Sequence, residues 1–223
     1  MSVVVRFLTV RGIPKLFWSA PDPLSLRPPV ISFVFLCVGL VIFGAGEAMI
    51  VAAGLGVTPW TVLAQGIAAK AGWSIGTATF VVSIAVLLFW VPLRQKPGVG
   101  TVMNAVIIAV VMDIMLIHLP RPQGFALQLA MMAGGICAVG FGSAVYLIAN
   151  LGPGARDGLM TSLQRLTALP ILAVRGGLEL VVVCSGWFLG GKIGLGTACF
   201  AVGIGMVISV SAYGLKSCFP HQH

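Results

Sequence analysis

Residues 54–61 read Gly-Leu-Gly-Val-Thr-Pro-Trp-Thr, and residues 150–157 read Asn-Leu-Gly-Pro-Gly-Ala-Arg-Asp. The two stretches lie 96 positions apart, and each follows a long apolar block. The same shift superposes Gly39, Gly44 and Gly46 on Gly135, Gly140 and Gly142, and Gly98-Val99-Gly100-Thr101 on Gly194-Leu195-Gly196-Thr197. Chance identities are common in apolar sequence, but glycines paired in one ungapped register are not explained that way. The chain reads as two tandem repeats of about 96 residues, 30–125 and 126–223 with a short C-terminal tail, behind a basic arm at 1–29.

Around the two stretches the chain is apolar. Of 223 residues 59% are hydrophobic and 8% charged, where a soluble domain is about a quarter charged; the mean hydropathy is +1.09. A bilayer-spanning helix needs about 20 consecutive apolar residues, and the blocks 30–53, 75–93, 98–119, 126–149, 171–190 and 194–214 qualify. The fold class is therefore all-α, a polytopic helical membrane protein.

The two stretches break the helices. Thr58 is placed to cap a helix that Pro59 begins, since proline suits the first helical position. This predicts short helices at 59–71, ended by Gly72, and at 154–168, ended before Pro170. At 1.5 Å per residue they reach about 20–22 Å, less than the roughly 30 Å hydrocarbon core. They read as re-entrant or interfacial, which leaves six full spans, three per repeat, and turns the second repeat upside down relative to the first. With the N-terminus inside, nine cations (Arg6, Arg11, Lys15, Arg27, Arg94, Lys96, Arg156, Arg165 and Lys216) fall on the cytoplasmic side against Lys70, Arg121 and Lys192 outside. The alternative, eight spans, gives eight against four.

Charge and sulfur narrow the function classes. The net charge of +8 is scattered at block ends rather than clustered on one face, so nucleic acid is not expected as a partner. Cys37, Cys137, Cys184, Cys199 and Cys218 show no ligand spacing and read as small apolar residues. The terminal His221 and His223 make too small a set for a metal, and no cofactor is expected. There is no HExxH, GxSxG or GxxxxGK[ST] motif, so no catalytic residue is assigned and the chain is not read as an enzyme. Arg6, Arg11 and Lys15 interrupt any signal-peptide core. With Phe7, Phe17 and Trp18, residues 1–20 form either a membrane-surface segment or a solvated basic arm.

Four acids sit in or beside apolar blocks, where a central charge costs about 2.5–3.5 kcal/mol. Glu179 has Arg175 one turn earlier, an i,i+4 ion pair. Glu47 has no basic residue within a turn, so its partner must come from another helix or a cavity. Asp113 lies nearer a helix end, with His118 beyond it. These acids suggest a buried polar path, or else local neutralisation.

The breaks carry more weight, because interrupted helices in corresponding positions of two repeats present free amides and a positive dipole end to ligands. Arg156 and Asp157 open the second short helix, and Trp60 and Thr61 occupy the aligned positions of the first. Arg156, Asp157, Asn150, Thr58, Trp60 and Thr61 are the candidate substrate-binding residues. Arg156 offers a planar donor fork, although anchoring to the cytoplasmic side accounts for it equally. Trp60, Trp73 and Trp90 also suit interfacial anchors, and Gly44 with Ala48, like Gly140 with Ala144, suits close helix approach.

GLGVTPWTVLAQGIA with GWSIGTAT, and NLGPGARDGLMTSLQRLTALPI, resemble the paired motifs of the YczE/YyaS/YitT group of bacterial membrane proteins, from about residue 30 to 214. In that pattern the first motif reads proline-tryptophan-aspartate and the second glycine-proline-arginine-aspartate. Thr61 here replaces the first aspartate and Ala155 the second proline, which weakens any acidic role in the first repeat. The resemblance implies a multi-pass protein of the cytoplasmic membrane, and the cation count puts both termini inside. The expected function is a small-molecule transporter or permease-like protein; the alternative is a non-transporting membrane partner that stabilises or regulates another protein. The expected partners are the lipid bilayer, a small-molecule substrate, and a second copy or a membrane partner protein.

Overall fold

The computed structural model describes residues 14–25 and 27–219; the expectations for Phe7, Arg6, Arg11, His221 and His223 lie outside them. The described residues form eight helices and no strands: α1 (Val30–Ala53), α2 (Pro59–Ala71), α3 (Ile75–Trp90), α4 (Val99–His118), α5 (Phe125–Ile148), α6 (Ala155–Thr167), α7 (Ile171–Phe188) and α8 (Leu195–Cys218). Five of them, α1, α4, α5, α7 and α8, are long and apolar enough to cross a bilayer. The short α2 and the 16-residue α3 form a pair bent by 114°, which makes a sixth crossing if counted together. Both short helices are 13 residues.

At the centre α1 packs along α5. A side chain at Gly39 would meet the Gly142 carbonyl at 2.9 Å, and one at Gly46 would meet the Gly135 carbonyl at 2.7 Å. Since Gly39 faces Gly142 while the later Gly46 faces the earlier Gly135, the two helices run antiparallel. Backbones this close leave no room for a Cβ, and small residues at membrane interfaces serve this purpose.

Other contacts recur at the same 96-residue offset, each with the halves exchanged. The Gly100 amide donates to the Leu151 carbonyl at 2.7 Å, and the Gly196 amide to the Leu55 carbonyl at 2.8 Å. The Thr101 hydroxyl donates to the Pro153 carbonyl and the Thr197 hydroxyl to the Val57 carbonyl, both at 2.7 Å. Each break thus rests on the start of the last helix of the opposite half, which satisfies carbonyls that irregular backbone in a membrane would leave unpaired. The short helices are exchanged too: α2 packs on α7, and α6 on α3.

Several expectations need correction. Residues 14–20 neither lie along the surface nor form a solvated arm: Trp18 is fully buried and stacks on Phe35 at 4.4 Å. The segment is pinned by Ser19 Oγ donating to the Ile148 carbonyl at 2.6 Å and by Asn150 Nδ2 donating to the Ala20 carbonyl at 2.7 Å. Trp60 and Trp90 are buried rather than anchored at an interface. The Trp90 indole donates to the Ala155 carbonyl at 3.1 Å and so holds the start of α6; Trp73 remains exposed. Cys137, Cys184, Cys199 and Cys218 lie on the outer surface, where a small apolar side chain is at home against lipid.

Candidate functional site

The two breaks bring their short helices to one place. Glu47, on α1 and 1% exposed, is met by the first break: Thr58 Oγ1 donates to its carboxylate at 3.0 Å and Thr61 Oγ1 donates at 2.8 Å. Thr58 occupies the N-cap position of α2, but its hydroxyl makes no capping bond. A buried carboxylate out of reach of water is the stronger acceptor and takes it instead.

The second break supplies the cation. Arg156 Nη1 lies 4.0 Å from Glu47 Oε1, and the Arg156 guanidinium stands 5.4 Å above the Trp60 ring. Positions 60 and 156 are equivalent under the 96-residue shift, so aligned residues of the two halves face each other. Next along α6, Asp157 accepts a hydrogen bond from the Tyr146 hydroxyl of α5 at 2.8 Å. On α7, Arg175 Nε donates to Glu179 Oε1 at 2.8 Å.

Arg156, Asp157, Arg175, Glu179, Tyr146 and Trp60 line a partly open cavity of about 110 Å³. Asn104, Ser143 and Phe200 complete its wall, so it draws on every helix but α3. Its lining also respects the offset: Asn104 and Phe200 are equivalent positions, as are Ile108 and Ile204.

Of the residues singled out from sequence, Glu47, Thr58, Trp60, Thr61, Arg156, Asp157, Arg175 and Glu179 come together here. Asn150 does not: with φ 54° it turns the chain at the end of α5, and its amide ties down the N-terminal segment. Asp113 also lies elsewhere, receiving the Ser74 hydroxyl at 2.6 Å and the Gly76 amide at 2.8 Å at the start of α3. That amide is one of the unpaired donors of a helix N-terminus, so Asp113 caps α3. Tyr146, Asn104 and Ser143 escaped the sequence reading. The signal that marks them is a polar side chain within an otherwise apolar helix, less conspicuous than a charge because it is neutral. Among the described residues no three His, Cys, Asp or Glu side chains are placed to hold a metal.

Residues 30–212 match the model of a family described as a family of unknown function, DUF6198. The chain belongs to this family. It is 42% identical over 199 residues to a Haemophilus influenzae protein described as "Uncharacterized protein", covering 89% of this chain and 90% of that one. It is 28% identical over 184 residues to the "Uncharacterized membrane protein YczE" of Bacillus subtilis, covering 82% and 86%. A further Bacillus subtilis relative, YyaS, is 23% identical over 184 residues, covering 81% and 92%. The DUF6198 chain is thus a multi-pass membrane protein similar to YczE and YyaS, as its motifs suggested. No solved structure matches it.

Proposed function

We propose that this DUF6198 protein carries a small molecule across the bacterial cytoplasmic membrane, and that it works by binding and release rather than by catalysis. One observation supports this reading above the others: two helix breaks, equivalent under a fixed offset, bring Arg156 and Asp157 to the wall of a cavity and Thr58 and Thr61 to the buried Glu47 beside Arg156. Isolated charges at membrane depth are costly and are kept where they serve a pathway or a binding site. A structural core needs none of them. Binding between broken helices of two inverted halves suits rocking of one half on the other.

In this reading the chain arose by duplication of one unit, and its termini face the cytoplasm. Lys96 and Lys192 are equivalent positions, and both are exposed. Cysteines placed singly at each, in a variant lacking the native five, should differ completely in intact cells. The residue-192 thiol should react with a membrane-impermeant reagent, and the residue-96 thiol should react only after the membrane is opened. Labelling of both from the same side would defeat the inverted arrangement.

The transport reading is tested in liposomes containing the purified protein. A panel of radiolabelled metabolites should include at least one that enters faster than into empty vesicles and whose flux falls at least tenfold in Arg156→Gln. No flux and no ligand-induced rise in melting temperature, together with a specifically co-purifying membrane protein, would replace it with the partner role.

A further inference from the structure

Away from the polar cavity, a concavity of about 500 Å³ lies where α1 ends, beside the first break and the loops that follow α4 and α7. Val51, Val57, Leu116 and Leu119, buried or half-buried, form its apolar wall. Trp73, Arg121 and Lys192 also line it, and all three are exposed. Gln65 Oε1 accepts from the Lys192 amide at 3.1 Å, which ties the loop carrying the lysine to α2.

No acid answers the two cations. The ion pairs among the described residues are Arg156 with Glu47 and Arg175 with Glu179, and no Asp or Glu lines the concavity. Asp113, the nearest acid to Arg121 along the chain, accepts from Ser74 and Gly76 at the start of α3.

The opposite end of the bundle shows what such a place holds. Under the 96-residue shift Val51, Ala52 and Leu119 correspond to Leu147, Ile148 and Leu215. Those three share one apolar cluster with Leu16, Trp18 and Ala20. Gly54 corresponds to Asn150, whose amide holds the Ala20 carbonyl. The counterpart is thus filled by the chain's own N-terminal segment, which docks near the start of α1 by stacking Trp18 on Phe35. The concavity at the end of α1 receives no such segment from the described residues.

Location and chemistry select its occupant. The ends of spanning helices lie near the lipid head groups, an exposed tryptophan suits that level, and basic pockets between membrane helices take anionic head groups. A free phosphate would meet the cations and leave the apolar wall uncovered. A glycerophospholipid covers both.

We propose that this concavity holds one anionic phospholipid, its phosphate at Arg121 and Lys192 and its glycerol and upper acyl chain against Val51, Leu116 and Leu119. The site is separate from the polar cavity and does not depend on a transport role.

The test is native mass spectrometry of the full-length protein in mild detergent containing equal amounts of phosphatidylglycerol and phosphatidylcholine with the same acyl chains. One phosphatidylglycerol should bind before any phosphatidylcholine. Arg121→Gln with Lys192→Gln should lower its affinity about thirtyfold, the contribution of two cations near anionic lipid. Ala69→Trp, which fills the concavity from an exposed position of α2 and keeps both charges, should abolish binding. Should that variant fail to fold, Ala69→Leu asks the same question. Arg94→Gln with Lys96→Gln, which removes exposed cations beyond α3, should change nothing.

Equal binding of the two lipids overturns the proposal. So does an equal loss in the two paired-charge variants, which would mark unspecific attraction to a basic surface. Unchanged binding when position 69 is filled would place the lipid outside the concavity. Displacement of the lipid by inorganic phosphate at equal concentration would mark a free-anion site instead.

Discussion

The two halves of the molecule are alike where backbone meets backbone and unlike where side chains meet the cavity. Gly46 and Gly142, Thr101 and Thr197, and Gly100 and Gly196 are the same residues making the same contacts in each half. Around the cavity, Glu47 is matched by Ser143, Trp60 by Arg156, Thr61 by Asp157 and Thr58 by Gly154. Packing at the closest approach admits few alternatives, because any added atom strikes a carbonyl. Cavity positions are freer, and there the halves supply different chemistry: hydroxyls, an indole and the buried acid from the first, and two arginines, two further acids and a phenol from the second. The result is one asymmetric site in a frame whose contacts recur.

That contrast is broken most sharply at Glu47 and its equivalent, Ser143. Glu47→Ala removes the acid nearest Arg156 and leaves the Thr58 and Thr61 hydroxyls without their acceptor. Removing one partner of a buried ion pair costs about 3–5 kcal/mol. Ser143 donates only to the Val139 carbonyl of its own helix, at 2.7 Å, so Ser143→Ala should change stability by less than about 1 kcal/mol. Unfolding in mild detergent micelles measures both. Equal losses would mean that the divergence at the cavity carries no structural consequence. Adding Arg156→Gln to Glu47→Gln should recover part of the loss, because the cation then needs no counter-charge.

At Gly46 and Gly142 the halves are alike, and the effects should match. A Cβ at Gly46 meets the Gly135 carbonyl at 2.7 Å and the Val139 amide at 2.8 Å; one at Gly142 meets the Gly39 carbonyl at 2.6 Å and the Phe43 amide at 2.7 Å. Overpacking of this kind costs about 1–3 kcal/mol. Gly46→Ala and Gly142→Ala should therefore each lower stability by that amount, in the same assay and by nearly the same amount. A large difference would show that α1 and α5 do not meet reciprocally.

The alike positions were the legible ones. Paired glycines announce themselves in sequence because close approach admits almost no other residue, and the helix breaks followed from Gly and Pro, which act locally. The identity of the cavity residues was legible to the extent that they carry charge, which an apolar block makes conspicuous. Which partner each would find was not legible. Glu47 meets the first break eleven residues on, and Arg156 of the other half, only because α2 and α6 fold back into the bundle. The docking of Trp18 was hidden for the same reason: its site is made by the end of α5, far along the chain. The Thr58 cap failed because a local rule was outbid by a buried carboxylate that no local window contains.

The finest comparison is between Thr101 and Thr197. Each hydroxyl holds a carbonyl of the opposite break at 2.7 Å, Thr101 that of Pro153 and Thr197 that of Val57. Each hydroxyl also accepts from the amide that opens its helix, Gly98 at 3.2 Å and Gly194 at 3.3 Å, so a valine of similar shape at either position should cost about 1–3 kcal/mol, the net value of two such bonds. The two stability losses should therefore be equal and add in the double variant, since the sites are separate. Their functional consequences should differ. Pro153 lies three residues before Arg156, the group without a close acceptor, whereas Val57 precedes Thr58, whose hydroxyl Glu47 already holds. Ligand affinity should thus fall more in Thr101→Val than in Thr197→Val at matched stability. Equal affinities would mean that the second break needs no tether to place its arginine. A larger loss in Thr197→Val would move the ligand's main contact to the first break.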